Sequence, residues 1–391
     1  MHSPQPPHTQ HTPHTHWPAP AALGERVEDV DTPALIVELD RLEHNLARMA
    51  DFARHAGMRL RPHAKMHKTP ALALRQIALG AVGVCCQKIS EAEVLVDAGV
   101  RDVLITNQVV GATKLHRVAA LAKRALLGVC IDDASNAHAL SQAAKAADSL
   151  VHTYIEINAG AERCGVAAGV PALELARVVA ALPHLKLMGL QAYQGSAQHL
   201  RSESERQAAI GEASARAAHS RDLIRAAGLD CPIITGAGTG TYALEAASGV
   251  FNELQPGSYA FMDADYARND ALAPFAHSLF ILTTVMSRQA THVVVDCGLK
   301  AHSIDSGMPL VVADAAGATL SGLEYRKASD EHGVIFPVAG GLPAALPALG
   351  TKLRLIPGHI DPTVNLHDWI IGVRDGVVQE IWPVTARGAM W

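Results

Sequence analysis

The stretch DVLITNQVVGATKLHRVAALAKRALLGVCID, residues 102–132, contains one complete unit of the pattern that decides the fold. It opens with an apolar run that ends in a polar residue, DVLITN, and continues into GATKLHRVAALAKRA, whose apolar residues recur at helical spacing. A second apolar run, LLGVCID, completes the unit. This order predicts a strand, a helix and a second strand parallel to the first.

The unit repeats from residue 58 to about 260, with strand-like runs MRLRPHAK, VGVCCQK, DVLITN, LLGVCID, HTYIEIN, LMGLQAY, CPIITG and FNELQPGSY. Eight buried strands alternating with helices favour an α/β protein with a closed (β/α)8 barrel of the TIM type over an open sheet. Chemistry in such barrels lies at the C-terminal ends of the strands. The residues expected there are Lys65, Gln87, Asn107, Asp132, Asn158, Tyr193, Gly236 and Ser258.

The pattern changes after about residue 270 to alternating strands and glycine turns with almost no helix, as in THVVVDCG and WIIGVRDGVVQEIWPV. This pattern of short strands and glycine turns predicts a C-terminal antiparallel β domain. The run PALIVELD precedes the first helix and is left over once the barrel has eight strands, so we assign it to the β domain as well. The predicted division is a barrel at 40–265 and a β domain at 25–39 plus 266–391.

Residues 1–24 are rich in His, Pro, Thr and Gln, and we predict a disordered tail there. The rest of the chain has 33 basic and 38 acidic residues without long runs of either sign, which argues against nucleic acid or an anionic membrane as a partner. Six scattered cysteines fit neither a disulfide framework nor a structural zinc site. No stretch has the length of a membrane span or the order of a signal peptide. We expect a cytoplasmic protein that acts on small molecules.

The run LRPHAKMHKTP, residues 60–70, places basic side chains at the end of the first barrel strand. Alternation along a strand points Arg61, His63 and Lys65 to one side. A lysine at the mouth of a barrel is either a solvated surface residue or a buried amine with a chemical task. His63 and His67 next to Lys65 favour the second interpretation.

The run PIITGAGTGTY, residues 232–242, leads from a strand into three glycines spaced two apart. Backbone N–H groups of such a turn can close on an anion, with the Thr239 hydroxyl as a further donor. The dinucleotide fingerprint requires glycine at position 241, where Thr241 stands, so a single phosphate group fits better than a pyrophosphate. A plain tight turn is the alternative.

The run PGHIDPTVNLHDW, residues 357–369, contains His359 and Asp361 two residues apart. On an extended segment both would project to one side and could offer an imidazole and a carboxylate to one divalent cation. The carboxylate favours Mn²⁺, Mg²⁺ or Co²⁺ over zinc. A structural hydrogen bond between the two residues is the alternative.

A lysine, a phosphate cradle and a metal pair together indicate pyridoxal phosphate, PLP, whose aldehyde bonds to a lysine amine. From Asp31 to the C-terminus the chain resembles the D-threonine aldolase and 3-hydroxy-D-aspartate aldolase family. These are fold-type III PLP enzymes with an alanine-racemase-like barrel, related to metal-dependent D-serine dehydratases. The motifs that carry the resemblance are DTPALIVELD, RPHAKMHK, GVCCQKISEAE, RCGV, GLQAYQGSAQH, GAGTGTY, ELQPGSYAFMDADY, DEHGV and PGHIDPTVNLHDW.

The resemblance implies a role for each matching residue. Lys65 would carry PLP as a Schiff base, and His359 and Asp361 would bind the metal. The other cofactor contacts it implies are Gln87, Arg163 and Tyr193 at the ring and Gly238, Thr239, Gly240, Gly257, Ser258 and Tyr259 at the phosphate. Enzymes of this kind are usually homodimers.

The expected reaction is retro-aldol cleavage of a D-3-hydroxy amino acid to glycine and an aldehyde, with His63, His67 or His199 as the base. The D-serine dehydratases have His-x-Cys at the metal, whereas Asp361 matches the aldolases, so cleavage is favoured over dehydration. An amino-acid racemase and a non-catalytic PLP carrier are further alternatives, although neither requires a metal pair. The loop GLKAHSIDSGMP, residues 298–309, looks more like the 3-hydroxyaspartate aldolases.

Four further residues have open assignments. Asp330 and His332 would either support the metal or brace a turn. Arg268 and His302 are candidates for binding a negatively charged substrate side chain. Cys85 and Cys86 are expected to be buried packing thiols.

Overall fold

The computed structural model describes residues 18–271, 275–339 and 346–391. Most of the predicted disordered tail lies outside these residues. Its last part differs from the prediction, because Gly24 N donates a hydrogen bond of 2.8 Å to Val378 O. This bond attaches the end of the predicted tail to the sheet formed by the C-terminal part of the chain.

The predicted (β/α)8 barrel is confirmed. The chain enters it through β1 (Ala34–Glu38) and α1 (Leu39–His55). The eight predicted runs form one all-parallel sheet, and its strands are β2 (Arg59–Leu60), β3 (Val84–Cys86), β4 (Asp102–Gln108), β5 (Leu126–Ile131), β6 (Val151–Glu156), β7 (Leu185–Gln191), β8 (Ile233–Gly236) and β9 (Glu253–Leu254). The spatial order is β2-β9-β8-β7-β6-β5-β4-β3, and a parallel bridge between His63 and Cys85 closes the barrel.

The helices that follow the strands turn their apolar sides to the barrel. They are α2 (Pro70–Ala78), α3 (Ile89–Asp97), α4 (Ala112–Leu121), α5 (Ala134–Ala147), α6 (Val170–Ala181), α7 (Glu203–Ala226) and α8 (Tyr242–Ala247). Side chains cap the starts of several helices: Asp133 accepts from Asn136 N at the start of α5, and Ser202 and Glu205 form a capping box on α7. Burial of Val118 and Val179 against the strands then completes the core.

The C-terminal part is the predicted antiparallel β domain. Its elements are β10 (Leu279–Arg288), β11 (Val293–Val295), β12 (Leu310–Asp314), β13 (Leu323–Ala328), β14 (Gly333–Pro337), β15 (Lys352–Ile356), α9 (Ile360–Val364), β16 (Trp369–Arg374) and β17 (Val377–Pro383). Strand β1 lies inside this sheet, antiparallel to β10 and parallel to β16. We therefore keep the proposed grouping of 25–39 with 266–391.

Two hydrogen bonds from backbone N–H groups hold the start of α9 at the mouth of the barrel. Ala264 N donates to Pro357 O at 3.0 Å, and Ile360 N donates to the carboxylate of Asp263 at 3.1 Å. Residues 263–264 lie shortly after the last barrel strand and the 3-10 turn that follows it, Ser258–Ala260. The start of α9 is thus fixed above the C-terminal ends of the barrel strands.

Two other features agree with the sequence. All six cysteines are free, and burial raises the pKa of the Cys85 and Cys86 thiols, as expected for packing residues. Within the described ranges, no helix combines the length and the apolar character that crossing a membrane requires.

Candidate active site

A cavity of about 340 Å³ lies at the C-terminal ends of the barrel strands, and both parts of the chain line it. Most of the predicted site residues meet there: His63, Lys65, Gln87, Arg163, Tyr193, His199, Gly238, Thr239, Gly257, Ser258, His359 and Asp361. His67, Gly240 and Tyr259 do not line it. Of the polar strand ends, Asn107, Asp132 and Asn158 instead bond to nearby backbone groups.

Lys65 reaches the cavity from a short 3-10 turn. The prediction of a continuous strand through Lys65 is wrong, because β2 ends at Leu60 and a turn follows over Ala64–Met66. His63 caps that turn, since its Nδ1 accepts from Lys65 N at 3.3 Å. The Lys65 ammonium then lies 2.7 Å from Asp361 Oδ1. A residue of the barrel and a residue of the β domain thus form an ion pair inside the cavity.

Arg61 has a structural task below the site. Its guanidinium is buried inside the barrel, 3.0 Å from Glu253 and 2.6 Å from Asp102. These two carboxylates raise the pKa of Arg61 despite its burial, so its charge is fully paired. It is therefore not a candidate for substrate binding.

His359 and Asp361 also meet, although not on an extended segment as predicted. His359 is the N-terminal flanking residue of α9, and Asp361 lies in the first turn of that helix. This turn still directs both side chains to one point, where His359 Nε2 and Asp361 Oδ2 are 3.7 Å apart. Two ligands of one cation at roughly 2.0–2.2 Å each can have that separation.

The charges around Asp361 fit a cation at this point. Burial would raise the pKa of the Asp361 carboxyl, but Lys65 and His359 together lower it, so the group is ionised. Its Oδ1 is buried and lacks a well-directed hydrogen bond among the described residues. If Lys65 Nζ is bonded to another group, Asp361 needs a different cation, and a divalent ion beside His359 supplies one. The described residues contain no cluster of three or more metal-binding side chains, and His359 and Asp361 are the two ligands that they bring together here.

The glycine turn after β8 fits a phosphate group. The backbone N–H groups of Gly238, Thr239, Gly257 and Ser258 find no acceptor among the described residues, although these residues line the cavity. Unpaired N–H groups that face a common space form an anion site. A Cβ on Gly257 would lie 2.9 Å from His63 O, so only glycine allows this approach.

Gly240 and Tyr259 do not extend this cradle. Gly240 N donates to Gln198 Oε1 and Tyr259 N donates to Thr239 Oγ1, both at 2.9 Å. Their N–H groups are therefore engaged within the protein. The phosphate contacts that the resemblance implied for Gly240 and Tyr259 are not supported.

The predicted ring contacts surround Lys65. The Arg163 guanidinium lies over the Tyr193 ring, 5.6 Å from its centre. Gln87 Nε2 is 3.0 Å from His63 Nε2 and 3.2 Å from Thr106 Oγ1. These contacts hold an aromatic ring, an amide and a cation around the space in front of the lysine.

The three candidate histidine bases differ sharply in their surroundings. Both ring nitrogens of His63 are engaged, and burial lowers its pKa well below the ordinary value. His67 lies behind the cavity wall against Gln76, and burial lowers its pKa to about 4. His199 lines the cavity and uses only Nδ1, which is 2.7 Å from Asp265 Oδ2. Of these three histidines, only His199 therefore presents a ring nitrogen without a partner among the described residues.

Sequence reasoning missed several residues that build this site. Gln198 supports the glycine turn, Asp265 holds His199, and Asp263 anchors α9. Burial raises the pKa of Asp263 to about 6. The motif AFMDADY contains both aspartates, but nothing in its spacing shows that they face the β domain.

The structure shows where the residues with open assignments lie. Asp330 and His332 are exposed and do not line the cavity, so the structure gives no support for a role at the metal. Arg268 pairs with Asp265 and donates to Ser306 O, whereas His302 is buried against Tyr325. Neither Arg268 nor His302 is thus positioned to bind a substrate carboxylate.

Comparison with known proteins shows the family to which this chain belongs. Residues 37–265 match the model of the alanine racemase N-terminal domain, and residues 278–373 match that of a putative serine dehydratase domain. D-threonine aldolase of Arthrobacter sp is 46% identical over 95% of this chain and 96% of that protein. 3-hydroxy-D-aspartate aldolase of Paracoccus denitrificans (strain Pd 1222) is 46% identical over 94% and 95%. The chain belongs to the D-threonine aldolase and 3-hydroxy-D-aspartate aldolase family.

The resemblance read from the motifs is thus confirmed. In three dimensions, the crystal structure of D-threonine aldolase from Filomicrobium marinum matches with a TM-score of 0.92 and 52% identity, over 96% of this chain and all of that one. D-threo-3-hydroxyaspartate dehydratase of Delftia sp. (strain HT23) is a more distant family relative, 30% identical over 84% of this chain and 90% of its own. The aldolases are therefore closer than the dehydratase.

Proposed function

We propose that this chain cleaves D-3-hydroxy amino acids to glycine and an aldehyde, with PLP and a divalent cation as cofactors. The observation that carries this proposal is the meeting of Lys65 with Asp361 at 2.7 Å, in a cavity that also contains His359 and the glycine cradle. A cofactor lysine and a metal pair thus face the same small volume. Analysis of the reaction products tests the proposal directly.

The chain's residues would hold each cofactor at a defined place. Lys65 would bond the PLP aldehyde, with the phosphate on Gly238, Thr239, Gly257 and Ser258. His359 and Asp361 would hold the cation, for which we propose Mn²⁺ or Mg²⁺ and, after these, Co²⁺. When bound, PLP accepts the electrons of the broken Cα–Cβ bond, and the cation makes the substrate hydroxyl more acidic.

We assign the general base to His199. Burial would raise the pKa of Asp265, but hydrogen bonds from Arg201 and His199 hold it below its ordinary value. The ionised Asp265 accepts a hydrogen bond from His199 Nδ1–H, so the lone pair of the imidazole ring lies on Nε2. That nitrogen would take the β-hydroxyl proton. As the Cα–Cβ bond breaks, the hydroxyl oxygen becomes the aldehyde carbonyl oxygen. Cα gains one proton in place of that bond to give glycine, which balances the proton that His199 removes.

Replacing His199 with glutamine is expected to lower kcat by roughly 10²–10⁴-fold, the scale of a lost general base. PLP absorbance and Mn²⁺ affinity should stay as in the wild type, because His199 holds neither cofactor. Steady-state kinetics measures the loss, with His332→Gln on the exposed surface as the matched control. An unchanged kcat would show that His199 is not the general base.

Replacing Gly238 with alanine is expected to weaken PLP binding. The added Cβ would collide with the carboxamide of Gln198, which accepts from Gly240 N, so that its displacement disturbs the glycine turn that holds the phosphate position. An overpacking cost of about 1–3 kcal/mol corresponds to a roughly 5- to 150-fold higher Kd. Fluorescence titration of the apoprotein with PLP measures this change. Gly211→Ala is the control, since its Cβ would meet nothing within 4 Å; an unaltered Kd in Gly238→Ala would argue against the cradle.

Cleavage is proposed over dehydration because the second metal-site residue is Asp361 rather than cysteine. A racemase or a PLP carrier leaves the His359–Asp361 pair without a role, and activity that survives EDTA would favour the racemase. We include both D-threonine and 3-hydroxy-D-aspartate as substrates, since relatives named for each are 46% identical to this chain.

We further propose a cytoplasmic homodimer. The free cysteines support a reducing compartment, and the dimer rests on resemblance to enzymes of this family. Light scattering coupled to gel filtration tests the dimer, for which a mass of twice 41.2 kDa is expected.

A further inference from the structure

We propose that Asp305 is a positioning residue that orients His359 for metal binding. This inference rests on the proposed function, because it assumes that His359 and Asp361 hold the cation. Asp305 and His359 are 54 positions apart in sequence, and Asp305 Oδ2 lies 2.7 Å from His359 Nδ1. Asp305 does not line the cavity itself and reaches it only through His359.

The direction of this contact decides which nitrogen of His359 is available. A carboxylate oxygen accepts, so His359 Nδ1 carries the proton and donates it to Asp305. The lone pair is then on Nε2, the nitrogen that faces Asp361 at 3.7 Å. Without Asp305, the ring could rotate or place its proton on Nε2, and both changes remove the ligand from the metal position.

Asp305 is itself held by its own loop. Ser303 Oγ donates to Asp305 Oδ1 at 2.7 Å, and Ser306 Oγ donates to Oδ2 at 3.2 Å. These two hydroxyls fix both carboxylate oxygens, although the Asp305 side chain is 50% exposed. The carboxylate thus has a defined direction before any metal binds.

The loop is also tied to α9 through Thr363. Ser303 N donates to Thr363 Oγ1 at 3.2 Å, and the same hydroxyl donates to His359 O at 2.7 Å. The backbone of His359 and the loop that carries Asp305 therefore keep a constant separation. A flexible surface contact between Asp305 and His359 would not have this second connection.

Arg268 joins the same loop to the residue that holds the proposed base. Its guanidinium donates to Ser306 O at 3.0 Å and pairs with Asp265, which contacts His199. One arginine thus braces both the loop of Asp305 and the partner of His199. This explains why Arg268 is not free to bind a substrate.

The test is a titration of the full-length protein with Mn²⁺. The electron paramagnetic resonance signal of the free ion measures how much Mn²⁺ is bound. Asp305→Ala is expected to raise the Mn²⁺ Kd by about 10- to 100-fold, the usual effect of removing the partner of a metal-binding histidine. Asp305→Asn keeps an acceptor oxygen for Nδ1–H and should lose less affinity. Asp330→Ala removes an exposed aspartate outside the cavity and should bind Mn²⁺ like the wild type.

The outcomes separate this inference from the proposed function. If the wild type binds Mn²⁺ and Asp305→Ala binds it equally well, the positioning role is refuted. If the wild type itself binds no Mn²⁺, the metal site and the proposed function fail together. Thermal unfolding in EDTA, where no metal contributes, should give the same Tm for wild type and both Asp305 variants. A lower Tm of both Asp305 variants in EDTA, with unchanged Mn²⁺ affinity, would assign Asp305 a purely structural role.

Discussion

Replacing Lys65 with alanine is expected to abolish turnover, with a loss in kcat of roughly 10⁴-fold or more, as when an enzyme loses its covalent catalytic group. The reason is chemical, because no other lysine in the described part of the chain lines the cavity. Lys68 is turned away from the cavity and pairs with Glu91 at 2.9 Å. Steady-state kinetics with D-threonine, PLP and Mn²⁺ measures the effect.

Lys65→Arg is the matched control for charge. It keeps a cation next to Asp361 but cannot bond the PLP aldehyde, so it should be as inactive as Lys65→Ala. A second readout is independent of activity: borohydride reduction of the wild type with PLP, followed by peptide mass spectrometry, should place the label on Lys65. A label on Lys68 or Lys88 would contradict the assignment of Lys65.

Replacing Asp361 with alanine is expected to lower kcat by about a thousandfold, because a metal contributes several kcal/mol and each 1.36 kcal/mol is a factor of ten. EDTA should produce the same loss in the wild type, and Mn²⁺ should restore it there but not in the variant. Activity assays with and without EDTA measure both effects.

Asp368→Ala is the control for this prediction. Asp368 follows on the same segment, but it pairs with Arg387 at 2.8 Å and does not line the cavity. The variant should retain its response to Mn²⁺. Full activity of Asp361→Ala in EDTA would show that the reaction does not need the metal.

The sequence predicted the barrel because its strands are buried on both faces. Runs such as DVLITN and LLGVCID have no other stable location than a parallel sheet covered by helices, and they alternate with helices of suitable length. The glycine spacing after CPIITG predicted the cradle for a similar reason, since it depends on the local backbone. Local chemistry was therefore enough to predict the fold and to place Gly238 and Thr239 at the cavity, where their role as a phosphate cradle stays a prediction.

Features that depend on how distant segments meet were not predictable in this way. Alternation suggested a strand through Lys65 and an extended segment at His359 and Asp361, but short turns occupy both places. The contact between Asp305 and His359 joins two loops of the β domain, and no spacing in the sequence indicates it. The engagement of Gly240 N by Gln198 likewise depends on the packing of a separate turn.

The central claim is the breaking of a carbon–carbon bond, and product analysis tests it most directly. The full-length protein is supplied with PLP and Mn²⁺, given D-threonine or 3-hydroxy-D-aspartate, and assayed for glycine and ammonia in the same reaction. We predict glycine with an equal amount of acetaldehyde or glyoxylate, and no ammonia. Ammonia with a keto acid and no glycine would contradict the account and identify the reaction as a dehydration.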